Sequence, residues 1–422
     1  MTSYMNGKEL GDVTVVGAGI VGLTSALYLQ RAGYKVTLLD KEGIGAGASQ
    51  GNAGHFATEQ VFPLADPSLL PKLPGMLLDP LGPFRIRPQY FHRALPWFMR
   101  FLWNMFPARR AQNSRAIKAL NEASIDAMQD LVQFCGCEDL LVLNGSLLVF
   151  EGTPLSEVEH EWRMYHDAGV QVELLDGKQV RDLEPSLSEN VTHGLFFTQV
   201  GHTPDPHLLC IAIANKFIAL GGKFEVAELT GVTEQESGSV VLHFAGKRQT
   251  TNKLLLTTGA WSKSLAKQFG HHVPLETERG YHLMMPQHAN LSRPVASYNR
   301  KFIITPMTKG TRLAGTVEFG GLTAPMSPAR ADCLFPHGKA LLPDVFAQTS
   351  VEDGVRWMGF RPSLPDSLPV IGQTKMDNVY VSFGHQHLGL TWSAISAKLI
   401  GQTMQSQKTS IDMTPYQIDR FR

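Results

Sequence analysis

The feature that most constrains this chain is a glycine turn set between a β-branched run and a helical pattern near its start. Asp12-Val-Thr-Val-Val16 is short, apolar and closed by glycine, which is how a buried parallel strand looks. Leu23, Ala26 and Leu27 then recur at helical spacing up to Gly33, and Lys35-Val-Thr-Leu-Leu-Asp40 reads as a second strand. The spacing predicts a βαβ unit whose turn is Gly17-Ala18-Gly19-Ile20-Val21-Gly22. Gly17 permits the tight turn, Gly19 lets backbone approach a pyrophosphate, and Gly22 lets helix pack on strand. The helix N-terminus would face the phosphates. Asp40, with Lys41 behind it, closes the second strand, where an acid accepts hydrogen bonds from adenosine ribose. The turn calls for an ADP-bearing cofactor and leaves NAD and FAD both open.

Downstream, residues 43–54 are too rich in glycine and alanine for regular structure and read as a close-approach loop. Helices are expected over 113–135, 204–222 and Gly389–Met404, and strands over 145–150, 223–226, 253–258 and 378–383. Further strands are expected over 281–285, 301–306 and 311–317. Residues 85–115 interleave Trp97, Phe98, Phe101, Trp103 and Phe106 with Arg93, Arg100, Arg109 and Arg110. Such a stretch suits either a core helix with a basic solvent face or a helix lying on an anionic bilayer.

Charge and cysteine content remove other classes. Lys+Arg and Asp+Glu number 38 each, so no global field draws the chain to nucleic acid. Cys135, Cys137, Cys210 and Cys333 fit neither a disulfide framework nor a structural zinc site. No secretory apolar segment opens the chain, and no run reaches the roughly 18 apolar residues of a membrane span. A cytoplasmic setting is the expectation.

Four later motifs narrow the cofactor. Gly45-Ala-Gly-Ala48-Ser49-Gln-Gly-Asn52-Ala53-Gly54 resembles the second flavin-contacting loop of the D-amino-acid oxidase superfamily, and Thr257-Thr258-Gly259-Ala260-Trp261 resembles its strand-ending pair. Gly359-Phe-Arg-Pro-Ser-Leu-Pro-Asp-Ser-Leu-Pro-Val-Ile-Gly372 and Gly384-His385-Gln-His387-Leu388-Gly389-Leu390-Thr391 resemble its two closing motifs. The matches fall in family order across most of the chain. The resemblance implies FAD, held non-covalently, because Gly359 stands where sarcosine-oxidase relatives carry a flavin-linking cysteine. It implies an α/β fold: a Rossmann-like FAD-binding domain with a central parallel sheet, plus an α+β substrate domain on a mostly antiparallel sheet. The FAD-binding domain is expected from 10–65, 202–272 and 352–410, and the substrate domain from 66–201 and 273–351.

Within the superfamily the chain looks most like bacterial D-amino-acid dehydrogenases. The Gly-His-Gln-His-Leu-Gly form is similar to dehydrogenases acting on D-proline or cis-4-hydroxy-D-proline. The implied reaction passes hydride from the α-carbon to flavin N5, and then electrons to a quinone or carrier protein. Two alternatives stay open: a glycine- or sarcosine-type oxidase using oxygen, and a flavin-binding subunit of a larger complex.

Arg361 matches the family's carboxylate-binding arginine, and a planar guanidinium holds a carboxylate by two parallel hydrogen bonds. Tyr281, and with less weight Tyr298, could supply a hydroxyl to the same carboxylate. His55, His385 and His387 could bind substrate or accept the amine's proton. His385 and His387 lack a third ligand at metal-binding spacing, so no metal is expected. By resemblance, the helix from Gly389 aims its N-terminus at the flavin, where Gly384, Gly389 and the Thr391 hydroxyl come close and the helix dipole stabilises the reduced form.

Overall fold

The computed structural model describes residues 10–71, 75, 79–235 and 238–421. Asp12–Val16 lies inside a six-stranded sheet with Lys35–Asp40 on one side and Lys253–Leu256 on the other, all three parallel. Lys223–Val226 and Val379–Phe383 extend the parallel set outward, and Val370–Gln373 closes one edge antiparallel.

Side chains alternate across this sheet and so feed two cores. On one face Val13, Val15, Leu38 and Leu255 meet Leu23 and Leu27 of helix Ile20–Arg31 and Trp392, Ile395 and Leu399 of helix Gly389–Met404. Leucines buried this fully contribute ~2–5 kcal/mol each on the scale of Leu→Ala substitutions. On the other face Val16, Leu39, Leu254 and Val381 pack against helix Ser262–Gln268 and the antiparallel strands Gly231–Glu234, Val240–Phe244 and Lys247–Thr251.

A nine-stranded mixed sheet forms the other half. Its order is Val355–Ser363, Glu276–Met285, Gly310–Phe319, Phe302–Met307, Val295–Ser297, Ser146–Glu151, Val191–Phe197 and Val172–Asp176, with Phe84–Ile86 added beside Gly310–Phe319. Its pairings are antiparallel except Val295–Ser297 with Ser146–Glu151 and Phe84–Ile86 with Gly310–Phe319. The fold is therefore α/β with a parallel dinucleotide-type sheet and a mostly antiparallel second sheet. One strand departs from the partition drawn from sequence. Val355–Ser363, grouped there with the parallel-sheet segments, pairs with Glu276–Met285 from Met284 opposite Val355 to Glu276 opposite Ser363. The chain rejoins the parallel sheet only at Val370.

Several elements extend past their expected bounds. The strands around 281, 301 and 311 run Glu276–Met285, Phe302–Met307 and Gly310–Phe319. The long helix starts at Pro107, where proline's missing N–H costs nothing at the first helical position, and ends at Cys135 before left-handed Gly136. Residues 85–115 hold a short strand, the helix Phe91–Trp103 and the start of that long helix. Helix Phe91–Trp103 buries only Ala94 and Trp97, while Phe91, Leu95, Met99, Leu102 and Trp103, with Phe106 just beyond its end, are exposed. Among the described residues no helix is long and apolar enough to cross a membrane.

Candidate active site

Between the two sheets lies a cavity of about 670 Å³, within the size range of cofactor sites. One wall is the glycine turn. Gly17 adopts φ +109°, and a Cβ there would sit 2.5 Å from the Thr257 carbonyl oxygen. A Cβ on Gly22 would stand 1.7 Å from the Gly17 carbonyl oxygen. Thr257, which sequence reasoning passed over in favour of Thr258, locks this approach: its hydroxyl donates to the carbonyls of Val16 and Gly17, both at 2.9 Å. Helix Ile20–Arg31 has no side-chain cap from Gly19, its first-turn Ile20 N–H donating instead to Ser49 Oγ at 2.9 Å.

Asp40 reaches back to the turn, accepting from Ala18 N–H at 2.8 Å with one oxygen and from Glu42 and Gly43 N–H with the other. Lys41 Nζ sits 4.0 Å over the Trp261 ring. Asp40, Lys41, Val21, Ala48, Ser49, Asn52, Ala53, Thr258 and Gly259 all line the cavity. Asn52 shapes its own loop, accepting from Gly54 N–H at 2.7 Å and donating to the Ser49 carbonyl at 2.9 Å. Gly54 stays outside the lining: its φ is +70°, and a Cβ there would meet the Thr203 carbonyl at 2.6 Å.

The mixed sheet supplies the opposite wall, where Trp357, Gly359, Phe360, Arg361 and Pro362 of Val355–Ser363 line the cavity. Trp357, Gly359 and Arg361 lie in one row of Val355–Ser363, opposite His282, Gly280 and Glu278 of the next strand. The Arg361 guanidinium lies across Gly280, where a Cβ would stand 2.6 Å from its Cζ. Burial lowers the Arg361 pKa while Glu278 opposes that shift. Glu278 itself, pushed upward by burial, accepts from Ser363 Oγ at 2.6 Å. Trp357 stacks on His282 with ring centroids 4.8 Å apart.

Tyr281 lies in the other row of Glu276–Met285, with Arg279. Its hydroxyl, expected at a substrate carboxylate, donates to Glu318 Oε2 at 2.9 Å beside the buried Arg279–Glu318 ion pair, and it does not line the cavity. Tyr298 donates to Glu157 and Glu161 and also stays outside. Tyr281→Phe leaves a buried Glu318 oxygen with one donor fewer, so a loss of ~1–3 kcal/mol in thermal unfolding is expected with turnover nearly unchanged.

At the closing motif Gly384 takes φ +82°, and a Cβ there would press on Leu364 at 2.4 Å. Gly384, His385, His387, Gly389 and Leu390 line the cavity. Leu388 is buried in the core, and Thr391 is buried behind the cavity wall, its hydroxyl accepting from Ala57 N–H at 3.0 Å. Helix Gly389–Met404 begins here without a side-chain cap. Burial holds both histidines neutral at about 3, with the Arg361 charge a second cause at His387. His385 shares a hydrogen bond with Ser396 Oγ at 3.0 Å, and His387 Nε2 donates to Gln60 Oε1 at 2.5 Å. Among the described residues no cluster of His, Cys, Asp and Glu could hold a metal ion.

His55 also lines the cavity, next to a residue that sequence reasoning missed: Glu59, with His55 Nε2 at 3.6 Å from Glu59 Oε2. The signal for it was an acid four residues beyond a histidine, between apolar Phe56 and Val61. The long helix fixes this turn through Asn121, which donates to the carbonyls of Thr58 and Gln60 and accepts from Trp392 Nε1 at 2.7 Å.

A glycine cradle and two uncapped helix starts suit a phosphate-bearing dinucleotide, and the uncharged histidines with Arg361 suit a small anionic group at the other wall. None of the four cysteines lines this space.

Comparison with known proteins agrees. The family model described as "FAD dependent oxidoreductase" (DAO) matches residues 12–403. A D-amino-acid oxidase of Bradyrhizobium diazoefficiens is 33% identical over 97% of this chain and 98% of its own length. A D-amino acid dehydrogenase of the same organism is 30% identical over 97% and 98%. Among solved structures, glycine oxidase from Geobacillus kaustophilus superposes with a TM-score of 0.72 at 20% identity, covering 97% of this chain and 98% of that one. The chain belongs to the DAO family of FAD-dependent oxidoreductases.

Proposed function

We propose that this enzyme dehydrogenates a D-amino acid and passes the electrons to a quinone or carrier protein. The observation that carries the reading is Arg361, laid over Gly280 on the wall facing the dinucleotide cradle, in a cavity whose histidines are neutral. Gly17, Gly19 and Gly22, with Asp40, Ser49 and the start of Gly389–Met404, would hold FAD. When bound, FAD supplies the two-electron acceptor for the α-hydrogen. Arg361 grips the substrate carboxylate and fixes which face of the α-carbon is presented, which is where positioning does its catalytic work. Neutral His385 and His387 add no second cation to repel an ammonium.

The similarity to proteins named D-amino-acid oxidase and D-amino acid dehydrogenase supports the substrate class. The form of the Gly384-His-Gln-His-Leu-Gly segment supports D-proline or cis-4-hydroxy-D-proline as substrate. Helix Phe91–Trp103 supports contact with an anionic bilayer where a quinone would be met, because Arg93 and Arg100 stand among exposed Phe91, Leu95, Met99 and Trp103. Flotation with anionic liposomes should carry the protein upward at low salt, and a protein left at the bottom at every salt concentration removes the bilayer contact. Mixed anaerobically with D-proline, cis-4-hydroxy-D-proline and D-alanine, the holoenzyme should bleach. An oxidised spectrum throughout such a D-amino-acid panel overturns the reading, and stoichiometric peroxide in air would replace the quinone by oxygen.

A further inference from the structure

An amino acid enters such a site as a zwitterion, and its ammonium must lose a proton before the nitrogen lone pair can assist loss of the α-hydrogen. Arg361 answers the carboxylate. For the other end, among the described carboxyl groups that line the cavity the buried one is Glu59, and no lysine or arginine pairs with it. Its Oε2 and the His55 Nε2 facing it at 3.6 Å are both buried and both lack a hydrogen-bond partner. A pair of orphaned atoms, one on an acid and one on a neutral imidazole, is satisfied by a single added proton, which makes the acid a donor and the ring nitrogen its acceptor.

We propose that Glu59, backed by His55, is the group that receives the substrate's ammonium proton, so that Arg361 and Glu59 together match the two ends of a zwitterion. The inference rests on the amino-acid reading above. In the step, one N–H bond of the ammonium breaks, its electron pair stays on nitrogen, and an O–H bond forms on the Glu59 carboxylate. The neutral amine then gives up its α-hydrogen with two electrons to the bound cofactor and leaves as an iminium.

The surroundings suit a carboxyl group that can both hold and release a proton. Burial lifts Glu59 to about 8, partly offset by hydrogen bonds from its own backbone and from Gln60. The groups facing it are Gln60, His55 and Tyr165, the last itself pushed up by burial and by Glu59. Around His55 stand His202 and His387, and burial, with each other's presence, holds His55 down to about 3. Arg293 lies next to His202, and Arg361 next to His387. The Gln60 side chain joins the two halves, hydrogen-bonding Glu59 and accepting from His387. An arriving ammonium is the counter-charge that ionised Glu59 lacks within this wall.

The test is the limiting rate of anaerobic flavin reduction by saturating D-amino acid, followed against pH. With Glu59 needed as carboxylate, the wild-type rate should climb about tenfold per pH unit below about 8 and level off above it. Glu59→Gln, an isostere of the protonated acid, should keep FAD but be slower by about 10²-fold on the plateau and lose that limb. An unchanged limb in Glu59→Gln overturns the proposal while leaving the amino-acid reading intact. Wild-type flavin that no D-amino acid reduces removes both. A measurement on the unaltered enzyme guards against a variant that does not fold. At pH 9, substrate should bring a protonated-carboxyl band into the infrared difference spectrum, and its absence also overturns the assignment.

Discussion

Arg361→Ala is expected to lower kcat/KM for the D-amino acid by about 10²–10³-fold, with FAD content and flavin spectrum unchanged. The guanidinium projects from a strand of the mixed sheet and takes no part in the dinucleotide cradle, so its loss should spare cofactor binding. Two effects add: the carboxylate loses a charge-assisted pair of hydrogen bonds, and buried Glu278, directly across the strand pair, loses the cation that favours its ionised form. Arg361→Lys should recover little, because an ammonium is a point charge and cannot hold both carboxylate oxygens in one plane. Gly280→Ala offers an independent check: its methyl group would stand 2.6 Å from the Arg361 Cζ and must swing the guanidinium away. It should raise KM with Arg361 still present. Steady-state kinetics on all three variants checks the assignment, and an Arg361→Ala enzyme with wild-type kcat/KM would remove it.

How far the sequence carried the reading depended on whether a feature was local. The βαβ unit and its glycines were legible because strand, turn, helix and acid lie within residues 12–40, where each residue's role follows from its neighbours. Helix Gly389–Met404 was legible for the same reason. Arg361 came through resemblance alone, since the glycine that makes room for it, Gly280, is supplied by another strand. The parity of the strand Glu276–Met285 could not be read beforehand. The run Glu-Thr-Glu-Arg-Gly-Tyr-His has polar groups on both faces, so nothing in it says whether the row of Gly280 or the row of Tyr281 lies against Arg361. The Glu318–Arg279 pair takes the Tyr281 row on the far side. Glu59 was hidden because a lone acid reads as a surface residue until the long helix, through Asn121, is seen to fold its turn inward.

Gly22→Ala should all but abolish FAD binding and lower the stability of the chain by about 3 kcal/mol or more, toward the upper range for overpacking a tight contact. The added methyl would lie 1.7 Å from the Gly17 carbonyl oxygen and 2.6 Å from Thr257 Oγ1. Neither can yield cheaply. The Gly17 peptide sits at φ +109°, its N–H donates to the Leu39 carbonyl at 2.7 Å, and its carbonyl is held by Thr257. Relief therefore requires helix Ile20–Arg31 to back away from the sheet, uncovering Leu23 and Leu27 and pulling the Ile20 N–H away from Ser49 Oγ. Gly231→Ala is the matched control. Its new methyl would meet nothing closer than 3.5 Å, and it lies on the small antiparallel sheet outside the cavity lining. Flavin absorbance per polypeptide and thermal unfolding of the two purified variants should separate them sharply. If Gly22→Ala kept a full complement of FAD at an unchanged melting temperature, close packing at Gly22 would not be what holds the cradle in shape.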